Sequence, residues 1–229
     1  MDRPAGFRLI LAVVFLTAIG GRAAVADCAV LAPAKPVITI NAPPVVYDTS
    51  MNRAAIKQRE MQVNHHGHSE ADIVLGTTET EIQPQAQVQI SARPLGDGTF
   101  CATIVSLKTV IDWKLVVHVA SELQPGSCMY NVVMTHEQGH VDIANGLKGR
   151  ALDLIGRALA AIAREGAAAK TPDAAYRMLQ HAGAAALNGA MTTLNAEMDR
   201  RQAAHDTPEE YGKGRKVCGL VAYYHALGR

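Results

Sequence analysis

The central part of the chain alternates apolar and polar residues or is rich in branched residues, which is typical of half-buried strands. Four segments have this character: 37–40, 85–93, 99–105 and 110–120. In the last segment every second residue from Ile111 to Val119 is apolar, so these side chains share one face. Gly96-Asp97-Gly98 predicts a hairpin turn between the second and third strands. A short helix over 50–62 is expected to pack on the resulting sheet.

Beyond residue 125 the apolar residues are spaced by three and four, which predicts helices. Ser127 is suited to cap a first long helix that continues to about Arg164, with a bend near Gly146 and Gly149. Thr171-Pro172 provides the cap and the first-turn proline of a second long helix. We therefore expect an α+β fold, in which a twisted, mainly antiparallel sheet packs on the first helix and on a second, C-terminal helix.

The first 26 residues differ from the rest of the chain. Arg3 and Arg8 precede an apolar run over 9–19, which small residues over 23–26 follow. This is the pattern of a signal peptide, and the run is shorter than the roughly 20 apolar residues that a membrane span needs. We expect cleavage after residue 26, so that residues 27–229 form one periplasmic or secreted domain without stable membrane insertion; an uncleaved anchor is the alternative.

The overall charge of the chain excludes one class of partner. The 229 residues include 22 Lys and Arg and 21 Asp and Glu, which gives a formal net charge of +1. Such a chain has no basic field with which to attract nucleic acid, so nucleic-acid binding is not expected. Its hydrophobic fraction of 48% is that of a globular protein with a folded core.

Four cysteines lie beyond the expected cleavage site: Cys28, Cys101, Cys128 and Cys218. An exported protein folds in an oxidising space, so two disulfides are expected rather than four buried thiols. Three pairings are possible from the sequence. We favour Cys101 with Cys128 and Cys28 with Cys218, since the second bond would tie both ends of the chain to its body.

The segment that carries chemistry lies on the first long helix and reads His136-Glu137-Gln138-Gly139-His140. Residues four apart share a helical face, so His136 and His140 can bind the same metal ion. Glu137 then lies beside the metal, where it can take a proton from the attacking water and pass it to the leaving amine. Gly139 has no side chain and allows neighbouring backbone to approach. The alternative is a pair of histidines that are satisfied inside the core.

This segment resembles the active-site helix of the zincin metallopeptidases. Residues 136–144 are most similar to an uncharacterised bacterial family of secreted zinc proteases with a His-Glu-Gln-Gly-His-Phe-Asp-Ile signature, and Val141 stands in place of the Phe. The resemblance implies a zincin-like fold, one zinc ion, a peptide or protein substrate, and hydrolysis by metal-activated water with Glu137 as general base. The family also has a late Tyr-Asp-Arg-x-Thr-x-His-Gly element. The corresponding segment here, 198–206, lacks the Tyr, Thr and Gly.

A catalytic zinc ion needs a third protein ligand and an open position. The long zincin signature has a third His six residues after the second, where this chain has Gly146, so that subclass is excluded. The later candidates are Glu165, His181, Glu197, Asp199 and His205. Among the acidic ones, Glu197 is the favoured alternative.

His205 is the third ligand that we expect. Met191, Met198 and His205 are seven residues apart, so they lie on the same helical face and His205 extends an apolar stripe towards the core. Its alternative role is a favourable interaction with the end of the helix dipole. The predicted zinc ligands are therefore His136, His140 and His205.

Other polar residues are interpreted as structural. The histidine cluster over 65–68 is taken as a solvated turn and His118 as a surface residue. Asp142 either supports a metal ligand or fixes the helix locally. The rival functional class is a non-catalytic exported binding domain with a structural zinc site. An intact Glu137 favours the enzyme, because a structural site has no need of a carboxylate at that position.

Overall fold

The computed structural model describes Cys28, Val30 and residues 32–63 and 74–226. The expected signal peptide and the histidine cluster over 65–68 lie outside the described residues. Within them, no helix is long and apolar enough to cross a membrane. The predicted α+β class is confirmed. The elements in chain order are β1 (Val37–Asn41), β2 (Val46–Asp48), α1 (Arg53–Val63), β3 (Gly76–Pro94), β4 (Phe100–Val119), α2 (Cys128–Gly146), α3 (Lys148–Ile162), β5 (Gly166–Ala169), α4 (Pro172–His205) and α5 (Pro208–Ala226).

The long strand β4 is the centre of the sheet. β3 pairs with it in antiparallel orientation along its whole length, while β5, β1 and β2 follow one another along its other edge. β5 is antiparallel to β4, whereas β1 and β2 are parallel to it. The prediction of a mainly antiparallel sheet is therefore not confirmed, because the sheet is mixed. Alternation identifies a strand but does not specify the direction in which it pairs.

The hairpin of β3 and β4 is longer than the sequence pattern indicated. The predicted strands 99–105 and 110–120 are one continuous strand, and β3 begins at Gly76 rather than at Gln85. The first half of β3 is rich in Thr and Glu, so it lacks the apolar alternation that marks a strand. The apolar face predicted from Ile111 to Val119 is buried as expected.

The cap of α2 forms as predicted, and the expected bend is a complete break. The Ser127 side chain accepts a hydrogen bond from the backbone N–H of Tyr130 at 3.2 Å. α2 ends at Gly146, and after Leu147 the chain begins α3.

The cap of α4 also forms as predicted, and α4 is the longest helix of the described chain. The Thr171 hydroxyl accepts from the backbone N–H of Ala174 at 3.2 Å, and Pro172 occupies the first turn. The helix runs for 34 residues to His205, with Asp206 as its C-cap. α5 follows and is interrupted at Gly219, where φ is 80°. The short connection between α4 and α5 therefore begins next to His205.

One hydrophobic cluster connects the sheet with the helices. Trp113 and its neighbours on β4 face the buried sides of α2, α3 and α4. Val141 of α2 and Leu194 of α4 are almost fully buried in this cluster. Burial of such a side chain stabilises the fold by about 1.5–3 kcal/mol, so these contacts hold the two long helices in place relative to the sheet.

All four cysteines form disulfides, as expected, but the favoured pairing is wrong. The bonds are Cys28–Cys101 and Cys128–Cys218. Cys101 lies near the start of β4, whereas Cys128 begins α2 beyond the far end of that strand. At about 3.3 Å per residue the 19 residues from Cys101 to Val119 span roughly 60 Å, and the chain from Val119 to Cys128 can return only about 30 Å, so Cys101 and Cys128 cannot meet. The first bond fastens the N-terminal segment to the sheet, and the second fastens α5 to α2.

We predict that non-reducing peptide mapping of the protein, produced in an oxidising compartment, will recover Cys28 linked to Cys101 and Cys128 linked to Cys218. The bonds close loops of 73 and 90 residues. In the chain-entropy model each lowers the free energy of the native state relative to the unfolded chain by about 4.5 kcal/mol. Replacement of both cysteines of one pair by serine should therefore lower the melting temperature. Recovery of Cys101 linked to Cys128 would contradict this arrangement.

Candidate metal centre

Two helices bring the three predicted histidines together. His136 and His140 lie one turn apart on α2, and their Nε2 atoms are 3.2 Å from each other. His205 reaches them from the last residue of α4. One ligand atom from each of the three side chains lies within 4.8 Å of the others, which is within the range in which they can bind one metal ion. Neither Glu197 nor Asp199 belongs to this cluster.

The approach of His205 depends on Gly139. A Cβ atom on Gly139 would lie 2.6 Å from Cε1 of His205, which is closer than real Cβ contacts. The His205 ring packs there against α2 and stacks on His136, with ring centroids 4.7 Å apart. Close approach at Gly139 was expected for neighbouring backbone, but a side chain uses the space.

Hydrogen bonds define which ring atoms of the histidines can bind a cation. Nε2 of His205 donates to the backbone oxygen of His136 at 3.0 Å, which leaves the lone pair of His205 on Nδ1. Nδ1 of His140 donates to the side-chain oxygen of Gln202. The amide nitrogen of Gln202 in turn donates to the backbone oxygen of His140 at 3.3 Å. Both rings are therefore held in fixed orientations, as is usual for metal-ligating histidines.

Sequence reasoning missed Gln202. It lies on α4 three residues before His205, so the two side chains share a face of the helix. That spacing was the available signal, because a helical residue three positions from a ligand points in a similar direction. A single turn of α4 thus supplies both a candidate ligand and the partner that orients another.

Glu137 faces the sheet and is only 3% exposed. The hydroxyl of Thr78, on β3, donates to Oε2 of Glu137 at 2.8 Å. A Cβ atom on Gly76 would lie 2.7 Å from Oε1, so the start of β3 can pack on this carboxylate only because residue 76 is glycine. Burial raises the pKa of Glu137, although the charges of His140 and His136 and the Thr78 hydrogen bond oppose the rise.

Asp206 is a further acidic residue in the centre and was not predicted. Its Oδ1 lies 3.2 Å from Nε2 of His136 and 3.0 Å from Nε2 of His140. Burial alone would raise the pKa of Asp206, but hydrogen bonds to these two histidines hold it well below its usual range. Burial would likewise lower the pKa of His140, yet the Asp206 hydrogen bond and the charge of Glu137 raise it to about 9. The position of Asp206 directly after His205 was the only signal in the sequence that it could join the centre.

The remaining third-ligand candidates lie elsewhere. Glu165, His181 and Asp199 are exposed. Glu197 forms ion pairs with Arg201 at 2.5 Å and with Arg150 at 3.3 Å. The Arg201 hydrogen bond lowers the pKa of Glu197, so this carboxylate is engaged in a surface ion-pair network.

His118 is buried, which corrects its interpretation as a surface residue. Its Nδ1 lies 3.0 Å from a carboxylate oxygen of Asp48, and its Nε2 lies 3.2 Å from Glu79. The sheet pairs β2, β4 and β3 side by side, so one imidazole joins carboxylates from both neighbouring strands. Asp142 accepts a hydrogen bond from Gln138 at 2.9 Å, which favours the local, helix-fixing role.

A cleft of about 650 Å³ opens beside His136 and His205, between α2 and α5. His136 and His205 line one part of it, and the Cys128–Cys218 disulfide lies at another. The cleft provides space for a bound segment next to the candidate metal centre. Its lining residues are Gly126, Cys128, Asn131, Val132, Thr135, His136, His205, Glu210, Lys213 and Val217.

No protein-family model, curated protein or solved structure matches this chain. The resemblance of residues 136–144 to the zincin signature therefore stays a prediction. The functional assignment rests on the side chains and their arrangement.

We predict that Gly139→Ala weakens zinc binding at least about tenfold while the melting temperature stays close to that of the parent. The new methyl group displaces the end of the flexible His205 side chain, which costs little folding energy but moves a candidate ligand. Gly189→Ala, inside α4, is the matched control, because a Cβ atom there has no neighbour within 4 Å. Chelator competition measures both affinities. Equal zinc affinity in the two variants would show that His205 is not a ligand.

Proposed function

We propose that this protein is an exported zinc-dependent peptidase with a zincin-like fold, which hydrolyses peptide bonds in peptide or protein substrates. The observation that carries the proposal is the convergence of three imidazoles beside one buried carboxylate. His136, His140 and His205 lie within ligand distance of one another, and Glu137 directly follows the first of them.

The donor set fits zinc. Imidazole nitrogen is a preferred ligand of zinc, and catalytic zinc sites commonly have three protein ligands. His136 and His140 would hold the ion together with His205, for which Nδ1 carries the lone pair. When bound, zinc supplies a Lewis acid that polarises the scissile carbonyl and lowers the pKa of water.

The chain itself supplies the base. A general base works best when its pKa is close to the working pH, and burial shifts the pKa of Glu137 in that direction. Thr78 donates to Oε2, so we assign the proton of the attacking water to Oε1, the oxygen without this hydrogen bond. The same carboxyl group then donates this proton to the leaving amine. Contact with the start of β3 keeps the carboxylate oriented during both transfers.

The cleft between α2 and α5 is the proposed substrate site. Glu210 and Lys213 on its wall form an ion pair at 2.5 Å, so their charges offset each other. Apart from the two histidines, the other side chains that line the cleft are uncharged, including Asn131, Val132 and Val217. A cleft of this character favours an uncharged stretch of peptide over a strongly acidic or basic one.

Export is supported by two independent features. Two disulfides are typical of proteins that fold in an oxidising compartment. The apolar run over 9–19, preceded by arginines, is typical of a signal peptide. We therefore propose that the protein acts in the periplasm or outside the cell.

The second candidate function is an exported binding domain with a structural zinc site. Asp206 favours it, because its carboxylate touches two of the three histidines and structural zinc sites have four protein ligands. The buried Glu137, in contrast, favours the peptidase over the binding domain. Burial of a carboxylate costs free energy, and a structural site gains nothing from that cost.

We expect Glu137→Gln to keep its zinc and its fold while its rate of hydrolysis falls by about 100-fold or more, because an amide cannot accept the proton of the attacking water. Cleavage of an unfolded protein substrate, zinc content and thermal melting are the measurements. Glu165→Gln is the control, since Glu165 is exposed. Parent-like hydrolysis by Glu137→Gln would rule out the proposed role of this residue.

His205→Ala is expected to lose zinc rather than only activity. It removes one of three imidazoles, so zinc affinity should fall by at least about tenfold. His181→Ala removes an exposed histidine from the same helix and should bind zinc like the parent. Full zinc occupancy of His205→Ala at limiting zinc would show that a residue other than His205 is the third ligand.

A further inference from the structure

We propose that Asp206 is a fourth protein ligand of the metal, which closes the site in the resting protein and leaves it when substrate binds. The second part of this proposal, that Asp206 leaves the metal when substrate binds, rests on the proposed peptidase function. The ligation itself does not, because a closed site of four ligands can exist without catalysis.

The distances around Asp206 match those of a metal site. Nε2 of His136, Nε2 of His140 and Oδ1 of Asp206 form a triangle with sides of 3.2, 3.2 and 3.0 Å. Ligand atoms that lie 2.0–2.1 Å from a tetrahedral zinc ion are about 3.3 Å apart. A cation that binds the two nitrogens therefore has this oxygen within reach without movement of the backbone.

The backbone holds Asp206 in this position. Its N–H donates to the carbonyl of Gln202 at 3.1 Å, which ends α4. The next N–H, of Thr207, donates to the carbonyl of His205 at 2.9 Å, and α5 begins at Pro208. The turn that supplies Asp206 is therefore the same one that supplies His205 and Gln202.

A carboxylate in this position changes what the site can do. It adds a negative charge to a ligand set that otherwise consists of imidazoles, which strengthens cation binding and offsets part of the charge that polarises a carbonyl. It also fills the position that a catalytic zinc site leaves open. The Asp206 side chain is 21% exposed, so it has access to solvent on one side. The carboxylate can thus rotate out while the helices that carry the histidines stay in place.

The test compares Asp206→Ala and Asp206→Asn with the parent and with Asp199→Asn. Asp199 is exposed on the same helix, so this control removes the same charge away from the centre. Each protein is loaded with Co²⁺ alone in place of zinc. The position and intensity of the visible Co²⁺ absorption report the number and type of ligands. Zinc affinity is measured by chelator competition, hydrolysis is measured at saturating zinc, and thermal melting checks the fold.

We expect Asp206→Ala to change the Co²⁺ spectrum and to weaken zinc binding at least about tenfold, since loss of even an outer partner of a metal ligand costs about 10- to 100-fold. Asp206→Asn should also change the Co²⁺ spectrum and weaken zinc binding. Asp199→Asn should match the parent in both measurements. At saturating zinc, hydrolysis by Asp206→Ala should exceed that of the parent.

Two results would overturn the inference. A Co²⁺ spectrum and a zinc affinity that match the parent would show that Asp206 is not a ligand. A fall in hydrolysis at saturating zinc would show that Asp206 does not close the site against substrate. If none of the proteins hydrolyses peptides but the Co²⁺ spectrum changes, the ligand assignment stands and the peptidase function fails.

Discussion

The end of α4 reaches α2 only because residue 139 has no side chain, and the rest of the candidate site depends on this contact. The His205 ring lies against the helix at Gly139 and donates to the carbonyl of His136. Gln202, one turn earlier, bonds to both the ring and the backbone of His140. The contact therefore couples the position of one candidate ligand to the orientation of another. Core packing keeps the two helices at this distance, since both bury apolar residues against the sheet.

A second contact, between α2 and the start of β3, sets the chemistry of Glu137. Gly76 allows the strand to lie on the carboxylate, and Thr78 donates to it. The resulting burial disfavours the charged form and so raises the pKa of Glu137. The arrangement costs stability, because a buried carboxylate is worse solvated than an exposed one. Such a loss of stability is common at functional sites, where a shifted pKa can serve proton transfer.

The two disulfides act on different parts of the molecule. Cys28–Cys101 fastens the segment before β1 to the start of β4, far from the histidines. Cys128–Cys218 joins the first residue of α2 to α5 and lies on the wall of the cleft. Because α5 begins two residues after Asp206, this bond limits how far the connection between α4 and α5 can move. The opening next to the candidate metal centre therefore has a covalently held wall on the side of α5.

Local features of the sequence determined much of the site, since helix caps and side-chain periodicity act over a few residues. The caps at Ser127 and Thr171 form as predicted, and the spacing of His136, His140 and His205 identified the cluster. Tertiary structure alone decided the cysteine pairing, the parallel direction of β1 and β2, and the entry of Asp206 into the cluster. These depend on where a 20-residue strand and a 34-residue helix end in space. Periodicity specifies which way a side chain faces within its own element, but the place where two elements meet depends on their lengths and packing across the whole core.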